Sequence, residues 1–196
     1  MAPSAAHDPV DDRAGLQRLP LPSGTVARAA VMTITREQYD HWRAIAVATT
    51  GGPPRSGRDR ARIREYVMEF LLTEMWVRLE APEHGVTVTD AEADRAFERA
   101  VRESFEHRSD FRDFLERSKM SEADARFQIR FNELSSKLTR HAGRRAKTAV
   151  GRQRLGDRFH RRLRLKWRAR TGCAARYRAR GCGHLVPVEP ALPPPS

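Results

Sequence analysis

The sequence predicts an all-α protein, a bundle of about six helices with disordered termini. Three observations predict it. Helix-start signals recur: Thr35-x-x-Gln38, Thr89-x-x-Glu92 and Ser121 ahead of Glu122-Ala123-Asp124 each place a hydroxyl where it can accept from the first free amides of a helix. Apolar residues then repeat at helical spacing, most cleanly at Phe127, Phe131, Leu134 and Leu138, which stand at i, i+4, i+7 and i+11. Isoleucine and valine are sparse outside a few short runs, which argues against a sheet-dominated fold.

Residues 1–24 are rich in Pro, Ala and Asp and read as disordered. Thr25 to Ile34 has weak strand character. Thr35 opens a short helix to about Ala48, with Tyr39, Trp42, Ile45 and Ala46 on one face. The run Gly51-Gly52-Pro53-Pro54 then breaks the chain. The longest helix runs from about Asp59 to Pro82 or His84. Its stripe of Ile63, Val67, Phe70 and Leu71 is widened by Leu72, Met75, Trp76 and Leu79, so it needs more than one neighbour and reads as the central helix.

Gly85 is the expected stop of that helix. Val86 and Val88 cross to the next one, Asp90 to about Glu106, which presents Ala93, Phe97, Ala100, Val101 and Phe105. A short helix over 110–118 offers Phe111, Phe114 and Leu115, and the Ser121 helix continues to about Arg140. After Gly143 and Gly151, a basic helix over 152–170 carries Leu155, Phe159, Leu163 and Trp167 at every fourth position, and Gly172 ends it. The predicted organisation is a disordered segment 1–24, a helical domain 25–170 completed by the basic helix 152–170, and a cysteine-containing, Pro-rich tail 171–196.

The net charge of +12 is uneven. Residues 141–183 hold fifteen Arg or Lys against one acid, Asp157, while the rest of the chain is near neutral. Arg outnumbers Lys thirty-three to four, a ratio that GC-rich coding produces, so basicity alone is weak evidence for a nucleic-acid role. The basic helix nonetheless has two readings: a face that tracks phosphates or an anionic surface, or a solvated face whose apolar side docks on the body.

Enzymatic signatures are missing. There is no Gly-x-Ser-x-Gly, His-Glu-x-x-His, P-loop or dinucleotide fingerprint. The seven histidines are scattered without ligand spacing. Asp90, Glu92 and Asp94 cluster at a helix start, where they complement the macrodipole. No catalytic residue, metal or cofactor is expected. The central helix carries Arg64, Glu65, Glu69, Glu74 and Arg78 and cannot span a bilayer, and residues 1–30 show no apolar leader. Cys173 and Cys182 stand nine positions apart, open to a disulfide, to two free thiols, or to a metal site with His184, although that spacing is wrong for a zinc knuckle.

The junction His84-Gly85-Val86-Thr87-Val88-Thr89-Asp90-Ala91-Glu92, between two amphipathic helices, resembles the N-terminal chaperone module of the SurA/PrsA-type foldases. Ile34-Thr35, the pair Tyr39 and Trp42, Ser109-Asp110-Phe111 and Met120-Ser121-Glu122-Ala123-Asp124 follow the family's order, and Phe159, Trp167-Arg168-Ala169-Arg170-Thr171 and Cys173 resemble the last helix and cysteine pair of actinobacterial members. The resemblance implies a helical module led by a short hairpin, although Ala30-Val31 stands where the family turns through Asn-Gly and does not readily supply positive φ. It also implies a parvulin-type prolyl isomerase domain of about a hundred residues. Only about twenty residues separate Leu138 from Phe159, so that domain is absent. What remains is a holdase without cofactor that binds unfolded or partly folded polypeptides through apolar grooves, with Tyr39, Trp42, Tyr66, Trp76, Phe111 and Phe114 as the binding candidates. The resemblance further implies a Cys173–Cys182 disulfide and an extracytoplasmic location, against which the missing leader leaves a cytoplasmic one open. The alternative function is nucleic-acid or anionic-surface binding through residues 141–183.

Overall fold

A computed structural model describes residues 18–190. Of the disorder expected of 1–24 and of the Pro-rich tail, the parts over 1–17 and 191–196 lie outside the described residues, while Leu21 is ordered against Pro187 and Glu189. Among the described residues six α-helices follow one another: α1 (Arg36–Thr49), α2 (Gly57–Glu80), α3 (Asp90–Ser104), α4 (Arg108–Ser118), α5 (Glu122–Gly143) and α6 (Ala149–Ala169). Four short strands join them: β1 (Thr25–Ala29), β2 (Met32–Thr35), β3 (Thr171–Ala174) and β4 (His184–Val186). The fold is mixed α/β, which corrects the all-α expectation. The strands form one sheet in the order β2-β1-β3-β4.

The helices begin where local chemistry starts them. Thr35 Oγ1 accepts from the Gln38 amide (3.1 Å) while Gln38 Oε1 accepts from the Thr35 amide (2.9 Å). Thr89 with Glu92, and Ser121 with Asp124, make the same reciprocal pair. So do Ser56 and Asp59, which start α2 at Gly57, ahead of the expected Asp59. A turn of 3₁₀-helix (Ala81–His84) extends α2, and Gly85 ends it in the left-handed region (φ 62°).

The sheet has a physical cause that no local window shows. β1 pairs antiparallel with β2 across a two-residue turn and antiparallel with β3 from the other end of the chain, Ala27 opposite Cys173. Ala30 takes φ 47° at the turn's first central position, the signature of a type II′ hairpin, so the hairpin forms despite its unfavourable residue. β3 pairs in parallel with β4, with only residues 175–183 to cross over, shorter than a usual parallel connection. A Cys173–Cys182 disulfide (Cα–Cα 5.7 Å) closes that crossover, and no free cysteine remains. The disulfide decides among the three readings of the cysteine pair and fits an oxidising, extracytoplasmic-type environment.

Close backbone approach explains two glycines here. A Cβ on Gly183 would lie 2.0 Å from the Arg168 carbonyl oxygen, and one on Gly181 would lie 2.6 Å from Leu72 Cδ1. Outside the strands, Leu21 is fully buried, its amide donating to Pro187 O and its carbonyl accepting from the Glu189 amide (both 2.8 Å). The two ends of the described chain therefore meet on the sheet.

Burial divides into two clusters. The larger joins the sheet to α1, α2 and α6 through Val26, Ala29, Trp42, Met68, Leu72, Trp76, Phe159 and Trp167. The smaller holds α3, α4 and α5 together through Phe97, Val101, Phe111 and Ala125. α5 serves both: Phe127, Phe131 and Leu134 pack half-buried against the first, and Ile129 against the second.

Candidate functional site

A cleft of about 470 Å³ opens between the end of α2, the 81–88 junction and the middle of α5. Val86 and Val88, delivered by the extended junction after Gly85, form one wall; Phe127, Phe131 and Leu134 of α5 form the other; Glu74 and Arg78 of α2 and Arg130 supply its charges. A second hollow of about 250 Å³ shares Glu74, Arg78 and Phe127 and reaches Met32 and Thr33 on the outermost strand, β2. Glu74, Arg78 and Phe127 thus border both hollows. The cleft's apolar wall is backed by a line of rings: Phe131 against Phe70 (6.0 Å between centroids), and Phe70 and Phe127 against Trp42 (4.7 and 5.7 Å).

The junction is tied to α5 by charge. Arg130 bonds Asp90 Oδ1 (2.6 Å) and the Val88 carbonyl (3.0 Å); Lys137 bonds Glu92 Oε1 (2.6 Å) and the Thr87 carbonyl (2.9 Å); Arg126 bonds Asp94 (2.8 Å). Of the acids at the start of α3, Glu92 completes the cap with Thr89, and all three are partners of α5. The Lys137 ammonium, followed by the Thr89 amide, holds the Glu92 carboxyl down to about 2. Glu74 is different: it is buried, with only Arg78 Nη1 (3.3 Å) as partner, and burial pushes its pKa above the ordinary carboxylate value. A carboxyl that resists ionisation therefore lies where the two hollows meet.

The sequence-predicted residues are distributed unevenly. Trp42, Tyr66 and Phe114 come together around a separate hollow of about 200 Å³ between α1, α2 and α4. Tyr66 is 62% exposed, Phe114 half-buried and Trp42 buried. Tyr39 is buried against Tyr177 (4.7 Å between centroids), and both line another hollow. Trp76 and Phe111 lie in the two cores: the Trp76 indole donates to Thr171 Oγ1 (2.9 Å), and Phe111 stacks on Phe97 and Phe105. The 470 Å³ cleft uses none of the six, and Trp42 alone of them lines the 250 Å³ hollow beside it. The clean period along α5 is the signal that could have found the cleft, because it puts Phe127, Phe131 and Leu134 on one face.

Among the described residues no three His, Cys, Asp or Glu side chains gather to hold a metal, and no helix is long and apolar enough to cross a membrane. No family model matches the chain, and neither a curated protein nor a solved structure matches it.

Proposed function

We propose that the protein is a holdase that captures extended, apolar segments of non-native polypeptide in the cleft between the 81–88 junction and α5, with no chemistry of its own. The observation that carries this reading is the half-burial of Phe127, Phe131 and Leu134 around a hollow of about 470 Å³. Each of these side chains spends part of its apolar surface on the core and leaves the rest to a ligand. The volume suits a few side chains of an extended segment. Arg78, Arg130 and Glu74 border it with groups that keep an occupied cleft solvated and can meet a client's backbone. The hairpin that runs through Ile34-Thr35 into α1, and the disulfide after the last helix, sit where the SurA/PrsA-type resemblance implies them. Both support the reading.

The test is suppression of aggregation. A chemically unfolded client is diluted into buffer with and without the protein at equimolar ratio, and light scattering is followed. Protection is expected, and Phe131→Glu, which puts a charge in the cleft wall, should weaken it while circular dichroism shows an intact helical fold. Absence of protection across several clients, or full protection by Phe131→Glu, sinks the reading.

A further inference from the structure

The outer face of α6 stands apart from the cleft. Its inner face is fixed by Gly156, Phe159, Leu163 and Trp167, all buried. At 100° per residue, the opposite stripe is Val150, Arg154, Arg158, Arg161, Leu165 and Arg168. All six are exposed, and Val150 (60%) and Leu165 (62%) are among the most exposed large apolar side chains of the described residues. Two of the helix's cations pair with acids on either side of the buried face, Arg164 with Glu69 (3.4 Å) and Lys166 with Glu80 and Glu83. Among the described residues, Arg154, Arg158, Arg161 and Arg168 pair with no acid. Asp157 is the one acid of α6.

We infer that this stripe is a docking face for an anionic lipid surface, on which α6 lies flat. Four arginines that have no acidic partner among the described residues supply the electrostatic term, since each can meet a lipid phosphate with a planar fork of donors. Val150 and Leu165, near the two ends of the stripe, supply a term that a polynucleotide backbone would not use: aliphatic side chains that enter between headgroups. The face is separate from the holdase cleft, so either function stands without the other.

The experiment is co-sedimentation of the full chain with vesicles of phosphatidylcholine alone, and of phosphatidylcholine mixed equally with phosphatidylglycerol, with a short random-sequence DNA duplex as competitor. Binding is expected to the mixed vesicles only and to fall with added salt. The triple variant Arg154→Gln, Arg158→Gln, Arg161→Gln should bind about a hundredfold more weakly, and Leu165→Ser about fivefold more weakly. Every substituted side chain is exposed, so both variants should melt with the parent. Equal sedimentation with both vesicle types, undiminished binding by the triple variant, or a duplex that is bound more tightly than the vesicles and as well by Leu165→Ser, each overturns the inference; the last would make the stripe a nucleic-acid face.

Discussion

Glu80 is the strongest single test of how the helical body is held together. It ends α2, is 6% exposed, and accepts three hydrogen bonds: from Lys166 Nζ (2.7 Å), Trp167 Nε1 (2.6 Å) and His84 Nε2 (3.1 Å). Two of the donors belong to α6, so this carboxylate fastens the last helix to the central one. Burial raises its pKa, but the bonds from Lys166, Trp167 and His84 outweigh that and leave it below the ordinary value. Glu80→Ala strands the buried indole N–H, at about 1–3 kcal/mol, and removes the buried partner of Lys166. The full cost of breaking a buried pair is about 3–5 kcal/mol. Lys166 keeps Glu83 and is 27% exposed, so the lower end applies. A net loss of about 3 kcal/mol should lower the melting temperature by roughly 6–12 °C for a chain of this size.

The pH dependence gives the sharper check. A carboxylate whose folded pKa is depressed contributes in full above its unfolded value, and the contribution disappears as pH falls through the folded one. The gap between parent and Glu80→Ala should therefore be complete above about pH 4.5 and shrink in stronger acid. Glu80→Gln keeps an acceptor for Trp167 and should lose only about half as much at neutral pH. Urea unfolding followed by tryptophan fluorescence, with the disulfide intact, reads all of this. A loss under about 1 kcal/mol, or a gap constant down to the acid transition, refutes the assignment of Glu80 as the clasp.

Other positions carry expectations of either sign. Ala30→Gly relieves an alanine held at φ 47° and should stabilise by about 0.5–1 kcal/mol, read as a higher urea midpoint at unchanged slope. Gly183→Ala pushes a Cβ into the Arg168 carbonyl and threatens the Gly183 amide bond to Thr171 O (3.0 Å); a loss of about 3 kcal/mol is expected in the same assay. Glu74→Gln removes a buried charge whose one partner, Arg78, is solvent-facing, and should raise stability at neutral pH. Because burial lifts the Glu74 pKa, the parent gains stability as pH falls from neutral into that range, so the advantage of Glu74→Gln should narrow in mild acid; melting curves across that range decide it.

The helices were legible because their causes are short-range. Thr35 with Gln38, Thr89 with Glu92 and Ser121 with Asp124 act across three residues, and the stripe from Phe127 to Leu138 lies within one helix. The strand character of Thr25 to Ile34 matches β1 and β2, but the rest of the sheet was not legible, for the opposite reason. β3 and β4 are four and three residues long, too short for an alternation to register. The sheet's central pairing, Ala27 with Cys173, joins residues from opposite ends of the chain. Gly172, read as a helix stop, lies inside β3, whereas α6 ends at Ala169 with Arg170 as its cap. Gly181 and Gly183 gave no pattern at all, since what they permit is approach by Leu72 and by Arg168.

The candidate site was half legible for a reason specific to α5. A clean apolar period says that a face is buried, but not by how many neighbours or how completely. Trp76 and Phe111 carry the same signal as Phe131, and the structure seals the first two while leaving Phe131 half open. The difference is set by what stands opposite. Trp76 meets the sheet and Gly181, where absent side chains let the backbone close on the ring. Phe131 meets the 81–88 junction, whose distance from α5 is fixed by Arg130 on Asp90 and the Val88 carbonyl and by Lys137 on Glu92 and the Thr87 carbonyl. These bonds anchor the two walls along one edge, and the apolar side chains between them leave a hollow. On that account the cleft is a consequence of polar spacers that sequence periodicity does not weigh, and its width should respond to substitutions at Arg130 and Lys137 more than to any at the aromatics behind it.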